Sequence, residues 1–392
     1  MHSAARPDRA RFGLGSAVTL AMILGGLVRA GLPVLSTEVR AEFDLSRSEF
    51  GLILTLYLVA IALSAPLAGR LTDATGGRRA LLARFAAATV GLLLIAGAGN
   101  VWLLGCAVVF TGIGMAAGNP ATNKLIADHV PAGERGTILG IKQSGGQFGV
   151  LVAGAVLPAL AGIWSWHVAV AVIAVVPIGG ALLLMAAVPE DPARRPMRDV
   201  PRLQWSQHSH LVRFFVIAAF MGAAIQSAFG FLPLYASEQL GLSLTTAGLV
   251  TGVVAATSTV GRILWGRFTD NTSKIVTPAI AIAVASAGAA ALIAAADSLG
   301  AWLVWLGAAA LGASAESWNS VANVTVVRIM GAEPAGRGSG LLMFVTLLAG
   351  AVGPYGFGAL TDGTGSYAAA WTAVIVTFGL AAASAARWRA AL

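Results

Sequence analysis

Gly69-Arg70-Leu71-Thr72-Asp73-Ala74-Thr75 and Gly266-Arg267-Phe268-Thr269-Asp270-Asn271-Thr272 agree at five of seven positions and lie 197 residues apart. Each closes a long apolar run, and the match is not isolated. Asn119 and Asn123 return as Asn319 and Asn323 at a shift of 200, and Arg135-Gly136-Thr137 returns as Arg337-Gly338-Ser339 at a shift of 202. Three matches in one chain order describe a duplication. The chain therefore reads as halves 1–188 and 212–392, joined by a linker, 189–211, in which Pro189-Glu190-Asp191-Pro192 and Arg194, Arg195, Arg198 and Arg202 interrupt the apolar composition.

That composition places the duplication in a membrane. Of 392 residues, 57% are hydrophobic and 11% charged, with a mean hydropathy of +0.81, against about 45 to 50% apolar and about 25% charged in soluble domains. The apolar residues run along the whole chain, which excludes a soluble domain on a single anchor. Twelve spans of about 20 residues would use roughly 240 positions, leaving room for turns and one longer loop. The runs lie at 13–37, 49–69, 80–99, 101–127, 137–161, 167–188, 212–236, 245–265, 276–296, 301–327, 338–360 and 368–387. An all-α polytopic membrane protein follows, with parallel six-span halves, a pseudo-two-fold axis along the membrane normal and a site near mid-membrane between the halves.

Charge sets the expected orientation. Twenty of the 25 Lys and Arg residues fall at one set of span ends, among them Arg6, Arg9, Arg11, Arg70, Arg78, Arg79, Arg84, Arg135, the linker arginines, Arg262, Arg267, Arg328 and Arg337. Only Arg40 and Arg47 fall at the other set, while Arg29, Lys124 and Lys142 lie at membrane depth. By the positive-inside rule both termini and the linker are cytoplasmic, in a bacterial inner membrane. The same clustering assigns the net charge of +8 to membrane topology and not to nucleic acid. A lone Cys106 and five scattered histidines provide no disulfide, redox pair or metal spacing, so no metal and no cofactor is expected. No phosphate-binding Gly-rich loop occurs, and the linker is too short for an ATPase. Nucleophile, base and acid do not converge on one depth, which argues against an intramembrane enzyme.

The loop after the second span carries Gly69, Leu71, Asp73, Gly76, Arg78 and Arg79 in a Gly-x-Leu-x-Asp-x-x-Gly-x-Arg-Arg pattern. In this, and over essentially its whole length, the chain resembles the major facilitator superfamily. The resemblance implies that this loop, with its repeat at Gly266 and Asp270, is a latch between the halves in an alternating-access cycle. The sequence also departs from the family's drug exporters. Their fifth-span Gly-Pro-x-x-Gly-Gly is replaced by Gly145-Gly146-Gln147-Phe148-Gly149, and no arginine stands in the fourth span before Gly112. The opening Gly140-Ile141-Lys142-Gln143-Ser144-Gly145 is similar to organic-anion, cyanate-like and nitrate-like permeases.

Charges at membrane depth are functional candidates because insertion costs about 2.5 to 3.5 kcal/mol each. Arg29 reads either as a substrate ligand or as an arginine bonded to backbone carbonyls. Lys142, with Gln143 and Gln147, is either a cavity cation or a lysine snorkelling to the interface. Lys124 has Asp128 one turn on, so a local salt bridge is the better reading. The pairs Asn119/Asn123 and Asn319/Asn323 suit either a polar ligand or interhelical bonding. Tyr57, Gln226, Trp318 and Phe344 are candidates to complete the pocket. Glu316, an acid well inside a second-half span, is a proton carrier or a hydrogen-bonded structural residue. The leading function is a secondary transporter for a small organic or inorganic anion, monomeric and coupled to protons or exchange. The alternatives are a proton-driven exporter of amphipathic compounds and a transport-inactive sensor.

Overall fold

A chain that crosses a bilayer must satisfy its backbone polar groups internally, and these apolar runs do so as helices. The computed structural model describes residues 5–131, 133–191, 209–272, 274–330 and 335–390. Most of the 189–211 linker, with its arginines, lies outside the described residues, as do the side chains of Arg6, Arg9, Arg11 and Arg337. Among the described residues there is no strand. The helices are α1 (Ala5–Val34), α2 (Ser36–Phe43), α3 (Arg47–Thr75), α4 (Gly77–Ala96), α5 (Val101–Met115), α6 (Gly118–His129), α7 (Arg135–Ile163), α8 (Trp166–Ile173), α9 (Val175–Ala187), α10 (Ser209–Glu238), α11 (Leu244–Asn271), α12 (Thr277–Leu299), α13 (Leu303–Ala313), α14 (Trp318–Met330), α15 (Ala335–Thr364) and α16 (Tyr367–Ala390).

Among the described residues, eleven helical stretches are long and apolar enough to cross a membrane. The expected tenth span is there but broken, into α13, a 3-10 turn at Ala315–Ser317, and α14. Ser314 leaves helical geometry at φ −111° and ψ −83°. Ser317 Oγ donates to Gly312 O at 3.0 Å and to Ser258 O at 3.2 Å, a side-chain bond competing with the helix ladder. The fourth span is interrupted between α5 and α6 at Ala116 and Ala117. That is the position related to Glu316 and Ser317 by the shift of 200. The repeat extends to prolines as well, Pro33 in α1 matching Pro233 in α10 at the same shift.

Two compact units emerge, one of residues 1–31 and 60–200, the other of residues 32–59 and 201–392. Residues 32–59, part of the first half by sequence repeat, thus pack with the second. Within the first unit α1 meets α7 through glycines: a Cβ at Gly149 would stand 2.1 Å from Ile23 O, and one at Gly26 2.0 Å from Gly146 O. In the second, Gly222 and Gly353 bring α10 and α15 together the same way, 2.2 Å from Thr346 O and 2.4 Å from Ala223 O. Small residues let backbones approach where hydrocarbon offers no hydrophobic drive. Accordingly α1 and α10 are the most buried spans, at 72% and 67% of their apolar windows. Large apolar side chains such as Leu63, Val175, Leu299 and Val352 stand exposed on other helices, a surface suited to lipid.

Gly149→Ala is expected to destabilise the protein by about 1 to 3 kcal/mol, because the added methyl meets backbone and not a movable side chain. Gly69→Ala, where a Cβ enters open space, is the control. It should leave the unfolding temperature unchanged or raise it, alanine being the better helix former. Thermal unfolding in detergent checks both, and equal behaviour of the two variants would refute the close approach of α1 and α7.

Candidate functional site

In the first unit the charged centre is built from α1, α4, α6 and α7. Lys142 is 1% exposed, and its Nζ donates to Asn123 Oδ1 at 2.6 Å, so it is an interior cation and does not snorkel. Arg84, which sequence reasoning placed at the cytoplasmic span ends, is a correction: α4 begins at Gly77, putting Arg84 about two turns inside it. It is 2% exposed and its Nη1 donates to Ala21 O at 2.7 Å. Gln147 is buried, Asn119 and Arg29 are half-buried, and Gln143 and Asn123 are exposed. Lys124 pairs with Asp128 at 3.6 Å.

In the second unit Glu316 is buried in the turn that breaks the tenth span, 6% exposed. Its backbone oxygen accepts from Arg262 Nη2 at 3.3 Å. Arg262 is a further correction, since it lies nine residues before the end of α11 and reaches the helix break. Trp318 is a core residue, 1% exposed and 5.6 Å from the Phe214 ring, while Phe344 is half-buried. Asn323 Nδ2 donates to Asn319 O on its own helix at 2.8 Å, so the two repeated Asn pairs differ in use: Asn123 holds a lysine, Asn323 its own backbone. Gln226, in α10, and Tyr57, in α3, are half-buried.

The Gly69–Arg79 loop has a partner that the sequence did not reveal. Asp191 caps the start of α4, its carboxylate accepting from Arg78 N at 3.2 Å and Arg79 N at 2.6 Å. A carboxylate at a helix N-terminus meets unsatisfied N–H groups and the positive end of the dipole. Gly76 makes this possible: at φ +98° it takes a backbone L residues avoid, and a Cβ there would sit 2.2 Å from Asp191 Cγ. Asp73 is exposed and makes no hydrogen bond or ion pair among the described residues. Gly69 and Gly266 face open space. At the repeated loop Arg328 donates to Thr269 O at 2.6 Å, Thr272 O at 2.9 Å and Asp270 O at 3.2 Å, closing the end of α11.

A second charged centre, also missed in the sequence, gathers at the opposite end of the second unit. Glu238, the last residue of α10, pairs with Arg40 of α2 and with Arg47 Nη2 at 2.8 Å. Tyr367 Oη donates to Glu238 Oε2 at 2.6 Å, and the Arg47 guanidinium lies 5.2 Å from the Tyr367 ring centre. Asp362 of α15 accepts from Arg47 N at 3.2 Å, Ser48 N at 2.7 Å and Ser48 Oγ at 2.6 Å, capping α3. Burial, and then the like charge of Arg47, lower the Arg40 pKa from the ordinary arginine value.

Helices that span a membrane, with charged side chains buried inside them, have the build of a secondary transporter. The chain belongs to the Major Facilitator Superfamily, whose sequence profile matches residues 18–354. It is 26% identical over 341 residues to an uncharacterized MFS-type transporter of Mycobacterium tuberculosis, covering 86% of this chain and 74% of that one. It is 35% identical over 152 residues, 38% of each chain, to the class D tetracycline resistance protein of Salmonella ordonez. With the cis,cis-muconate transport protein of Acinetobacter baylyi it shares 26% over 276 residues, 65% of each. A bacterial homolog of the human lysosomal transporter Spinster has the same fold, with a TM-score of 0.78 over 99% of this chain and 97% of that one at 16% identity. The protein is a multi-pass membrane transporter and not an enzyme.

Proposed function

We propose that this transporter carries a small organic anion by alternating access, coupled to protons, across a bacterial inner membrane with both termini and the linker cytoplasmic. The observation that carries the reading is Lys142, buried and bonded to a neutral amide, with no acid paired to it among the described residues. A buried ammonium so held is stabilised further by an anion. Arg29, Gln143, Gln147, Asn119 and Asn123 are the proposed ligands from the first half, and Tyr57, Gln226, Asn319 and Asn323 complete the set. The muconate relative transports a dicarboxylate, which supports an anionic substrate. The tetracycline-resistance relative favours a second reading, efflux of an amphipathic compound, although that similarity covers 38% of the chain. The Asp73 loop is proposed to latch the halves in one state of the cycle, and the functional unit to be the monomer.

Purified protein in vesicles tests the substrate class. Carboxylates and sulfonates are expected to compete for uptake, and Arg29→Gln should weaken that competition about tenfold by removing the fork that bonds carboxylates bidentately. A best ligand that is cationic or neutral, or undiminished competition in Arg29→Gln together with Lys142→Gln, would overturn the anion reading.

A further inference from the structure

One face of α11 clamps the broken tenth span. Ser258 O accepts from Ser317 Oγ at 3.2 Å, and Trp265 Nε1 donates to Ala313 O at 2.8 Å. Between them a Cβ at Gly261 would lie 2.5 Å from Ala313 O and 2.8 Å from Ala313 Cα, so backbone touches backbone where the break begins. Arg262 stands on this clamped stretch, and its Nη2 donates to Glu316 O at 3.3 Å. A guanidinium that reaches a residue's backbone oxygen is within one side-chain length of its carboxyl, and this carboxyl belongs to a buried residue. Of the other ionisable groups on helices packed against the turn, Arg267 and Asp270 of α11, Asp297 of α12 and His210 and Arg213 of α10 are exposed. Tyr235 donates to Ile293 O, Glu238 holds its two arginines, Arg328 closes the end of α11, and α13 carries no ionisable group. The duplication singles out the same two residues. At the shift of 197 Arg262 corresponds to Ala65, and at the shift of 200 Glu316 corresponds to Ala116. The first half interrupts its fourth span at the matching place with neither charge, so the break itself requires neither. Arginine and acid are present together in one half and absent together from the other.

We infer that Arg262 is the positioning residue that lets Glu316 give up its proton, by holding a permanent cation beside the turn on which the carboxyl rides. The inference rests on the proton-coupling reading above and deepens it. A carboxyl buried among apolar groups keeps its proton, because the charged form would lose its hydration; a neighbouring cation favours the carboxylate instead. The guanidinium is suited to that task since it stays charged throughout. In the step itself the O–H bond of Glu316 breaks, the proton leaves to water on the side to which the site is open, and the electron pair stays on the carboxylate beside Arg262. Arg262 is fixed to a regular helix and Glu316 to a short turn, so a change in the turn alters the separation of the two groups. Drawn away from the guanidinium, the carboxylate takes a proton back. The pair thereby ties the proton to the geometry of the break, which a carboxyl alone in apolar surroundings could not do.

Infrared titration of the full chain in vesicles reads the proton without any substrate: the Glu316 share of the protonated-carboxyl band is the part lost in Glu316→Gln. In Arg262→Gln that share is expected to persist to a pH at least about one unit higher than in wild type, a change of about tenfold in proton affinity. Arg262→Lys should return it most of the way. Trp265→Phe, which cuts a different bond from α11 to the break, should leave it unmoved. Thermal unfolding supplies a second arm that serves even where Arg262→Gln folds poorly. Removing one member of a buried pair is worse than removing both, so Arg262→Gln with Glu316→Gln should unfold at a higher temperature than Arg262→Gln alone. An unmoved Glu316 band in folded Arg262→Gln, or a double variant no more stable than the single one, assigns Arg262 to bracing the break and overturns this inference alone. A Glu316 carboxyl that stays protonated in wild type throughout the titration overturns it too. If Glu316→Gln still accumulates labelled succinate uphill under a pH gradient, the proton-coupling reading fails and this inference with it.

Discussion

Glu238→Gln is expected to release the 36–48 segment from α10 and α15 and to shift the conformational balance of the transporter about ten- to hundredfold. The glutamate accepts from Arg40, Arg47 and Tyr367 at once. Replacing it by a neutral isostere keeps one hydrogen bond but leaves two arginines facing each other. Removing one partner of a fully buried pair costs about 3 to 5 kcal/mol. Here the side chains are 15% to 31% exposed, so solvent screening reduces the expected cost to about 1 to 3 kcal/mol. The segment matters because α3 continues along α15 beyond the ion pairs: a Cβ at Gly358 would meet Arg47 O at 2.2 Å and one at Gly51 would meet Pro354 O at 2.4 Å. A transporter that must open at this end has to part these contacts together, and the carboxylate is their electrostatic centre. Hydrogen exchange of residues 36–50 and labelling of Ser46→Cys should both rise in Glu238→Gln, with Arg40→Gln giving the smaller change. Unchanged exchange and labelling would reduce the cluster to surface decoration.

The apolar runs that betray the spans in the sequence are strong signals because each is a local property: about 20 residues that cannot face water form a helix wherever the rest of the chain goes. The interruption at Ser314–Ser317 is local too, in its Gly-Ala-Ser-Ala-Glu-Ser run, but hydropathy averages across it. Arg84 and Arg262 were misjudged for a related reason. Counting positive charges treats an arginine near a span end as interfacial, whereas the helices here continue past the apolar limits and carry those residues inward. Glu238 and Asp191 carried no local cue. Their partners lie 129 to 198 residues away for Glu238 and 112 to 113 for Asp191, and only the tertiary fold brings them together. The Asn repeat shows the converse limit, since identical pairs at equivalent positions serve a lysine in one unit and a helix backbone in the other.

Glu316→Gln is expected to abolish accumulation driven by a pH gradient while sparing exchange of labelled for unlabelled substrate. The residue is an acid 6% exposed, set where the tenth span stops being a regular helix. Helix breaks at membrane depth are tolerated where packing or side chains satisfy the freed backbone groups, and here Ser317 and Arg262 take that part. A short turn held by side-chain bonds can change geometry more cheaply than an uninterrupted helix. A carboxyl on it can therefore meet different surroundings in two states of the cycle, and a proton then biases whichever state receives the neutral form better. Glutamine mimics that neutral form permanently, so binding and exchange survive, but the proton no longer has a carrier and the gradient no longer does work on the substrate. Wild-type and mutant protein in vesicles of matched orientation, assayed for pH-driven uptake and for counterflow, separate the two processes. Retained uphill uptake in Glu316→Gln would make the residue structural, and loss of both activities would make it part of the binding site. Only loss of the first with retention of the second identifies Glu316 as the coupling group; the matching position in the fourth span is Ala116, so both halves interrupt the helix at this point and one of them carries a carboxyl there.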